Sequence, residues 1–298
     1  MKGSTTISPW QVPFNTSPEQ WQTAPDQTAL DAVKKADFKK PLKKARKALA
    51  SEITKLQASR SHSLLVIMQA TDAAGKDSAI REVFSDVNVN AIRSVAFKRP
   101  TPLELRHDFL WRCYRKSPAR GEVVIFNRSY YEEVTTVRVH PEYLNSQYPG
   151  DAPAELKNME SFWQQRFNAI NALEQHLTNS RTIVIKFWFN LSAKEQLNRF
   201  QRRLDKPEKR WKFNLADLNE RPYWDQYQLA YKQALSATST TYAPWYAIPA
   251  DNKNYARYQI AEIIRQTLQQ KKLTWPPADV DLNACNAALE KFHQQSNS

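Results

Sequence analysis

Apolar residues along this chain switch between two spacings. Leu64-Leu65-Val66-Ile67-Met68 is unbroken, which suits a parallel strand buried on both faces. Upstream, Leu42, Ala45, Leu49, Ile53 and Leu56 recur three or four residues apart. They predict a helix over 41–59 with Pro41 in its first turn. Downstream, Ile80, Val83, Phe84 and Val87 share one helical face in a segment starting at Lys76. Shorter apolar runs predict further strands over 92–97, 122–126, 181–189 and 245–248. Helical spacing fills the intervals 103–115, 154–177, 192–204, 223–236 and 253–271. Strands alternating with helices predict an α/β fold, a parallel sheet wrapped on both sides.

Three stretches fall outside this rhythm. Residues 1–25 hold Pro9, Pro13, Pro18 and Pro25 among Ser, Thr and Gln and read as an extended arm, ordered only where Trp10, Phe14 or Trp21 docks. Residues 201–219 are charged and weakly periodic, an excursion from the core. The tail over 276–298 reads as peripheral, which leaves 26–275 as one main domain.

Composition narrows the class. The chain has 298 residues and 41% hydrophobic content, enough for one large core. No apolar run approaches the roughly 20 residues of a membrane span, and the N-terminus lacks a secretory pattern. Cys113 and Cys285 stand without close Cys or His neighbours, so neither a disulfide framework nor a zinc site is expected. A cytoplasmic protein is the expectation. The net charge of +13 and pI near 9.6 point to a polyanionic partner. Nucleic acid, anionic membrane and inorganic polyphosphate all qualify on that ground.

Candidate chemistry gathers at strand ends. Gln69-Ala70-Thr71-Asp72-Ala73-Ala74-Gly75-Lys76-Asp77-Ser78 lies between a buried strand and a helix. A phosphate loop needs amides curled round an anion, a helix N-terminus aimed at it, and a lysine bridging phosphate oxygens. Gly75-Lys76 meets that need, although a Gly-Lys pair at such a turn also serves as an ordinary helix cap. Ala70 replaces the first glycine of the Walker A pattern and Asp77 its Ser or Thr. The strand over 122–126 runs into Asn127-Arg128-Ser129, where P-loop enzymes place a Walker B acid. Ligands of open α/β sheets collect at such carboxyl ends.

These residues resemble the type-2 polyphosphate kinases over about 39–270. The marks are Asp72 to Asp77, His107-Asp108-Phe109-Leu110-Trp111-Arg112, and Phe126-Asn127-Arg128-Ser129-Tyr130-Tyr131-Glu132-Glu133-Val134. Lys206-Pro207, Lys209, Trp211-Lys212, Trp224, Tyr227, Thr238-Ser239-Thr240, Ala243-Pro244-Trp245, Asp251 and Lys253 follow in order. The Asn-Arg-Ser-Tyr-Tyr-Glu-Glu form is most similar to the class III branch, which accepts AMP and ADP. The resemblance implies a P-loop α/β/α sandwich like thymidylate kinase with a helical lid over about 201–222. It also implies polyphosphate as donor, AMP, ADP and ATP as nucleotides, and magnesium as the ion, with manganese as its substitute. The family has glycine where this chain has Ala70, and often where it has Ser78.

Carried onto this chain, Asp72, Lys76, Arg128, Arg202 and Arg203 are the catalytic candidates. Ala74, Gly75, Asp77, Ser78, Asn127, Glu132, Lys209 and Lys212 are assigned to nucleotide or phosphate binding, with Asp72 and Asn127 on the metal. Lys43, Lys44, Lys47, Lys98, Arg99, Arg112 and Arg115 are candidates for a polymer track, each also readable as a solvated charge. Trp111, Tyr130, Tyr131 and Trp211 are candidates for stacking on a base. A homo-oligomer is expected, and neither nucleic acid nor membrane as partner. Two rivals remain: an ATP-dependent nucleoside monophosphate kinase, and a polyanion-binding protein without turnover.

Overall fold

The computed structural model describes residues 8–14, 16–20, 37–149, 156 and 158–296. Five parallel strands form one sheet in the order β2-β3-β1-β4-β5. They are β1 (Ser63–Gln69), β2 (Ile92–Ala96), β3 (Val123–Asn127), β4 (Thr182–Asn190) and β5 (Trp245–Pro249). Every residue of β1 is buried, as an unbroken apolar run at the sheet centre requires. The pleat sends Leu64, Val66 and Met68 into one core and Leu65 and Ile67 into the other.

Helices α1 (Lys39–Ser59), α2 (Lys76–Val83) and α6 (Lys253–Gln270) cover the first face. Helices α3 (Met159–Asn179) and α5 (Trp224–Thr238) cover the second. The three-layer α/β/α arrangement matches the fold expected from the sequence. Between β4 and α5 stands α4 (Ala193–Asp205), capped by Ser192, whose hydroxyl accepts the Glu195 amide at 3.1 Å. Short turns at Pro207–Lys212, Leu215–Asn219 and Arg221–Tyr223 continue it through the stretch expected as a lid. A final helix, α7 (Leu282–Ser296), buries none of its residues.

One local expectation changes, and two further features of the fold emerge. The helix over 103–115 is two short turns, Pro102–Leu105 and Trp111–Tyr114. Thr101 and Glu104 close the first as a capping box. Asp108 then accepts the amides of Leu110 and Trp111 at 3.0 and 3.2 Å, restarting the chain in a new direction. The N-terminal arm is docked over its described part, with Trp10 as one of its anchors. Val12 donates to Trp245 O (2.9 Å), Ala247 to Trp10 O (2.8 Å), and Trp10 Nε1 to Tyr255 Oη (2.7 Å). This covers the open edge of β5. Trp21 lies outside the described residues. Finally, β4 carries Lys186 in its fully buried interior, where its ammonium meets Glu174 (2.5 Å), Tyr131 Oη (3.0 Å) and Thr238 O (2.7 Å). Among the described residues, no helix is long and apolar enough to cross a membrane.

Candidate active site

β1 and β3 are hydrogen-bonded neighbours, with Met68 opposite Asn127. Their carboxyl ends therefore deliver the 70–75 loop and Asn127-Arg128 to the same place. The loop turns through left-handed Ala73 (φ 61°) and Gly75 (φ 94°), and Gly75 caps α2. Neither Ala70 nor Ser78 has a positive φ, so a Cβ there strains no backbone. Ala70 packs into the core at 5% exposure, while Ser78 Oγ donates to Gly75 O at 2.8 Å.

Lys76 Nζ donates back to Ala70 O at 3.2 Å. Burial, and then the neighbouring Arg128 charge, lower its pKa to about 8. Arg128 is itself left-handed (φ 63°), and its guanidinium donates to Asp72 Oδ1 at 2.9 Å. Glu132 foremost, with Asp72, raises the Arg128 pKa and so fixes its charge. Asn127 Nδ2 donates to Asp77 Oδ1 at 2.5 Å.

Above them opens a cleft of about 490 Å³. Asp72, Ala74, Gly75, Lys76, Asp77, Ser78, Lys98, Asn127 and Arg128 line its floor and one wall. Arg202, Arg203, Lys209 and Lys212 line it from the lid. Arg202 pairs with Glu195, and Arg203 with Asp217 at 3.1 Å. Sequence reasoning gave no role to four further cations of the same cleft: Arg81 on α2, Arg199 on α4, and Lys253 and Arg257 on α6. Lys253, among the residues of the resemblance, carried the only signal. Burial, then Arg199, Arg202 and Lys209, lower its pKa to about 8. Cations gathered in one cleft that holds two carboxylates form a site suited to a polyanion.

A second pocket, about 250 Å³, shares Phe97, Lys98 and Arg128 with the cleft. Glu132, Arg99 and Arg112 line it with apolar Leu105, Val137 and Tyr143. The Glu132 carboxylate accepts from Thr136 Oγ1 at 2.8 Å. The Tyr130–Val134 turn is capped instead by Ser129, whose Oγ accepts the Tyr131 amide at 3.2 Å, so capping does not occupy Glu132.

Several candidates are placed elsewhere. Lys43, Lys44 and Lys47 are exposed on α1 and line neither the cleft nor the second pocket. Arg115 stacks on Trp111 at 4.5 Å, while Trp111 stacks on His107 at 3.8 Å. Arg112 is buried (7%), donating to Lys98 O at 2.7 Å and facing Glu133 at 3.7 Å. Its charge is already matched, which removes it from a polymer track. Tyr130 and Tyr131 cannot stack on a base. Both are 1% exposed, and both donate to Glu174 Oε1, at 2.9 and 2.8 Å. Trp211 stands 76% exposed on the lid.

Among the described residues no cluster of three or more His, Cys, Asp or Glu could hold a metal by itself. Magnesium needs less, since it retains waters and takes one or two carboxylates plus substrate phosphates. Asp72 and Asp77, the two carboxylates of the cleft, fit that demand. Asn127, also expected on the metal, donates its amide nitrogen to Asp77, and its Oδ1 is the atom that would reach the ion.

A strand–loop–helix anion cradle at the carboxyl edge of a parallel sheet, with its lysine and a cationic lid, defines a P-loop phosphotransferase. The chain belongs to the family Polyphosphate kinase 2 (PPK2), whose model matches residues 32–276. It is 49% identical over 222 residues to the ADP-polyphosphate phosphotransferase of Rhodopseudomonas palustris, covering 74% of this chain and 75% of that one. It is 43% identical over 223 residues to the AMP/ADP-polyphosphate phosphotransferase of Meiothermus ruber, covering 74% and 77%. The crystal structure of polyphosphate kinase 2 from Arthrobacter aurescens superposes with a TM-score of 0.76 at 34% identity, covering 94% of this chain and 99% of that one.

Proposed function

We propose that this enzyme transfers the terminal phosphoryl group of inorganic polyphosphate to AMP and ADP, giving ADP and ATP. The observation that carries the reading is the junction at Arg128. There a cationic cleft suited to the polymer meets a smaller, partly apolar pocket suited to a nucleotide.

In this reading the polymer lies between the lid and α6, its terminal phosphate on Lys76 and the loop amides. The acceptor's phosphate, held by Arg128, attacks it in line. The terminal P–O–P bond breaks, its electron pair staying on the shortened polymer, while a new P–O bond forms to the nucleotide. The attacking oxygen is already ionised near neutral pH, so the protein supplies alignment and charge stabilisation rather than a general base. Magnesium, held by Asp72 and Asp77, would neutralise charge on the phosphate oxygens. Arg202 and Arg203 leave their lid carboxylates for the transferring group as the lid closes. Glu132 faces the space that the second phosphate of ADP would fill and can hold a shorter AMP through water or a metal ion. The setting is cytoplasmic and the working form a homo-oligomer, the latter measurable by size-exclusion chromatography with light scattering.

The test incubates the protein with AMP, polyphosphate and Mg²⁺ and follows ADP and ATP by ³¹P NMR. ADP appearing first and ATP after it is the expected result. Turnover with ATP but not with polyphosphate would make it a nucleoside monophosphate kinase. Polyphosphate binding without turnover would leave only a polyanion-binding protein.

A further inference from the structure

We propose that Arg199 is a positioning residue that sets the phosphate loop from behind, by holding its carbonyls so that its amides face the substrate. The inference rests on the phosphotransferase reading and concerns a side chain given no role above.

Arg199 is 4% exposed and all its donors are directed. Nε donates to Glu195 Oε1 at 2.9 Å. NH1 donates to Ala74 O at 2.6 Å and Ala73 O at 3.4 Å. NH2 donates to Ala250 O at 2.5 Å and Asp251 O at 3.2 Å. A guanidinium has five N–H groups, and here they meet five acceptors. Although Arg199 borders the cleft, it keeps no donor for a phosphate. Arg202, one turn further along α4, is 46% exposed at its side chain, with its Nε on Asn198 O at 3.1 Å, and can be redirected.

The carbonyls held are those that matter. Gln196, one turn earlier, donates to Asp72 O at 3.0 Å. Three successive carbonyls, of Asp72, Ala73 and Ala74, are thus tied to α4. All described peptides are trans, so the N–H groups of Ala73, Ala74 and Gly75 point away from α4. Successive amides turned one way make an anion-binding nest. Phosphate loops ordinarily obtain such turns from glycine, but this loop has only Gly75 and takes a left-handed conformation at Ala73. That conformation is unfavourable with a Cβ present, and the bonds from Arg199 and Gln196 hold the loop in it. The other half of the fork rests on the loop after β5, where Asp251 accepts the Ser192 amide (2.9 Å) and hydroxyl (2.7 Å) at the start of α4. Arg199 thereby references the phosphate loop to two fixed points.

The role predicts a response that neither bulk stability nor simple charge would give. A lysine preserves the charge but cannot span both pairs of carbonyls. Arg199→Lys and Arg199→Ala should each lower kcat about 100-fold or more, with KM for polyphosphate and for ADP within about threefold of wild type. Millimolar guanidinium, well below denaturing concentrations, should restore at least about tenfold of the lost rate to Arg199→Ala by filling the vacated fork site. It should do nothing for Arg199→Lys, whose side chain fills that space. An Arg199→Lys enzyme within about threefold of wild type would show that charge alone suffices and overturn the proposal. So would a folded Arg199→Ala variant that stays active, or one that is inactive and gains nothing from guanidinium. If Arg199→Ala fails to fold, the Arg199→Lys comparison still decides. Absence of polyphosphate turnover in the wild type would instead count against the reaction itself, before any variant is compared.

Discussion

Lys76 and Glu132 show how one side chain's surroundings become a measurable property. Replacing Lys76 by Ala should reduce turnover by about 100-fold or more, the scale of losing a transition-state electrostatic contact. Its melting temperature should hold, because the ammonium already sits where burial disfavours its charge. Retention of a tenth of the activity would remove it from the phosphates. The lowered pKa also gives a pH signature. The folded values of Lys76 and Lys253, about 8, lie below the ordinary lysine value of 10.5. The unfolded chain therefore binds more protons across that window, and stability rises with pH from about 8 upward. A bound polyanion pulls both values up again, so binding takes up protons. Calorimetry in buffers of different ionisation enthalpy should show this uptake near pH 8, and polyphosphate affinity should fall as pH rises beyond it. Glu132→Asn tests acceptor choice: initial rates should drop more for AMP than for ADP. Equal losses would return Glu132 to holding Thr136.

At the scale of elements, α4 does two jobs along its length. Its first two turns, through Gln196 and Arg199, are fastened to the phosphate loop. Its last turn presents Arg202 and Arg203 to the cleft, each resting on a carboxylate, Glu195 or Asp217. On the proposal that they act in the closed state, removing both arginines should depress kcat about tenfold or more while nucleotide KM changes little. Steady-state rates of the double Ala variant provide the check, and unchanged kcat would leave the pair as surface charge. The Tyr130–Val134 turn has a comparable support on its far side. Tyr130 and Tyr131 end on Glu174, which is held by Lys186. Two aromatic residues beside Arg128 in sequence are thereby core struts under the site.

For the whole molecule, the net charge of +13 is concentrated where it can act. Cationic side chains from α2, the lid and α6 converge on one cleft that holds two carboxylates. On the proposed reading, a polymer track would run from Lys76 past Arg81 and Arg257, which line this cleft, rather than over α1, whose lysines do not. Binding of a short polyphosphate chain should weaken with salt, each neutralised phosphate releasing counterions. Changing Arg81 and Arg257 to Gln should flatten that dependence, and changing Lys43, Lys44 and Lys47 should not. Fluorescence titration of labelled polyphosphate at several salt concentrations would decide it. A flatter slope in the α1 variant would restore those lysines to the track.

Local chemistry alone determined much of this protein. An unbroken apolar run can be satisfied only between two helical layers, so β1 and the α/β class follow from residues 64–68 themselves. Gly75-Lys76 after a buried strand announces an anion cradle because backbone amides at a helix start have no other partner. What sequence could not show was which distant charges share a space and which are already matched. Arg112 and Arg202 look alike along the chain. One is sealed beside Glu133 and the Lys98 carbonyl, the other stands over the cleft. Lys186 interrupts an apolar strand, yet it lies at 0% exposure because Glu174, on a different element, comes to meet it. Arg199 has no local signature at all. Its five acceptors come from its own helix and from loops after β1 and β5, up to 126 residues apart in sequence. Electrostatic energy depends on separation and burial in space, and only the parallel order β2-β3-β1-β4-β5, which gathers those strand ends, settles both.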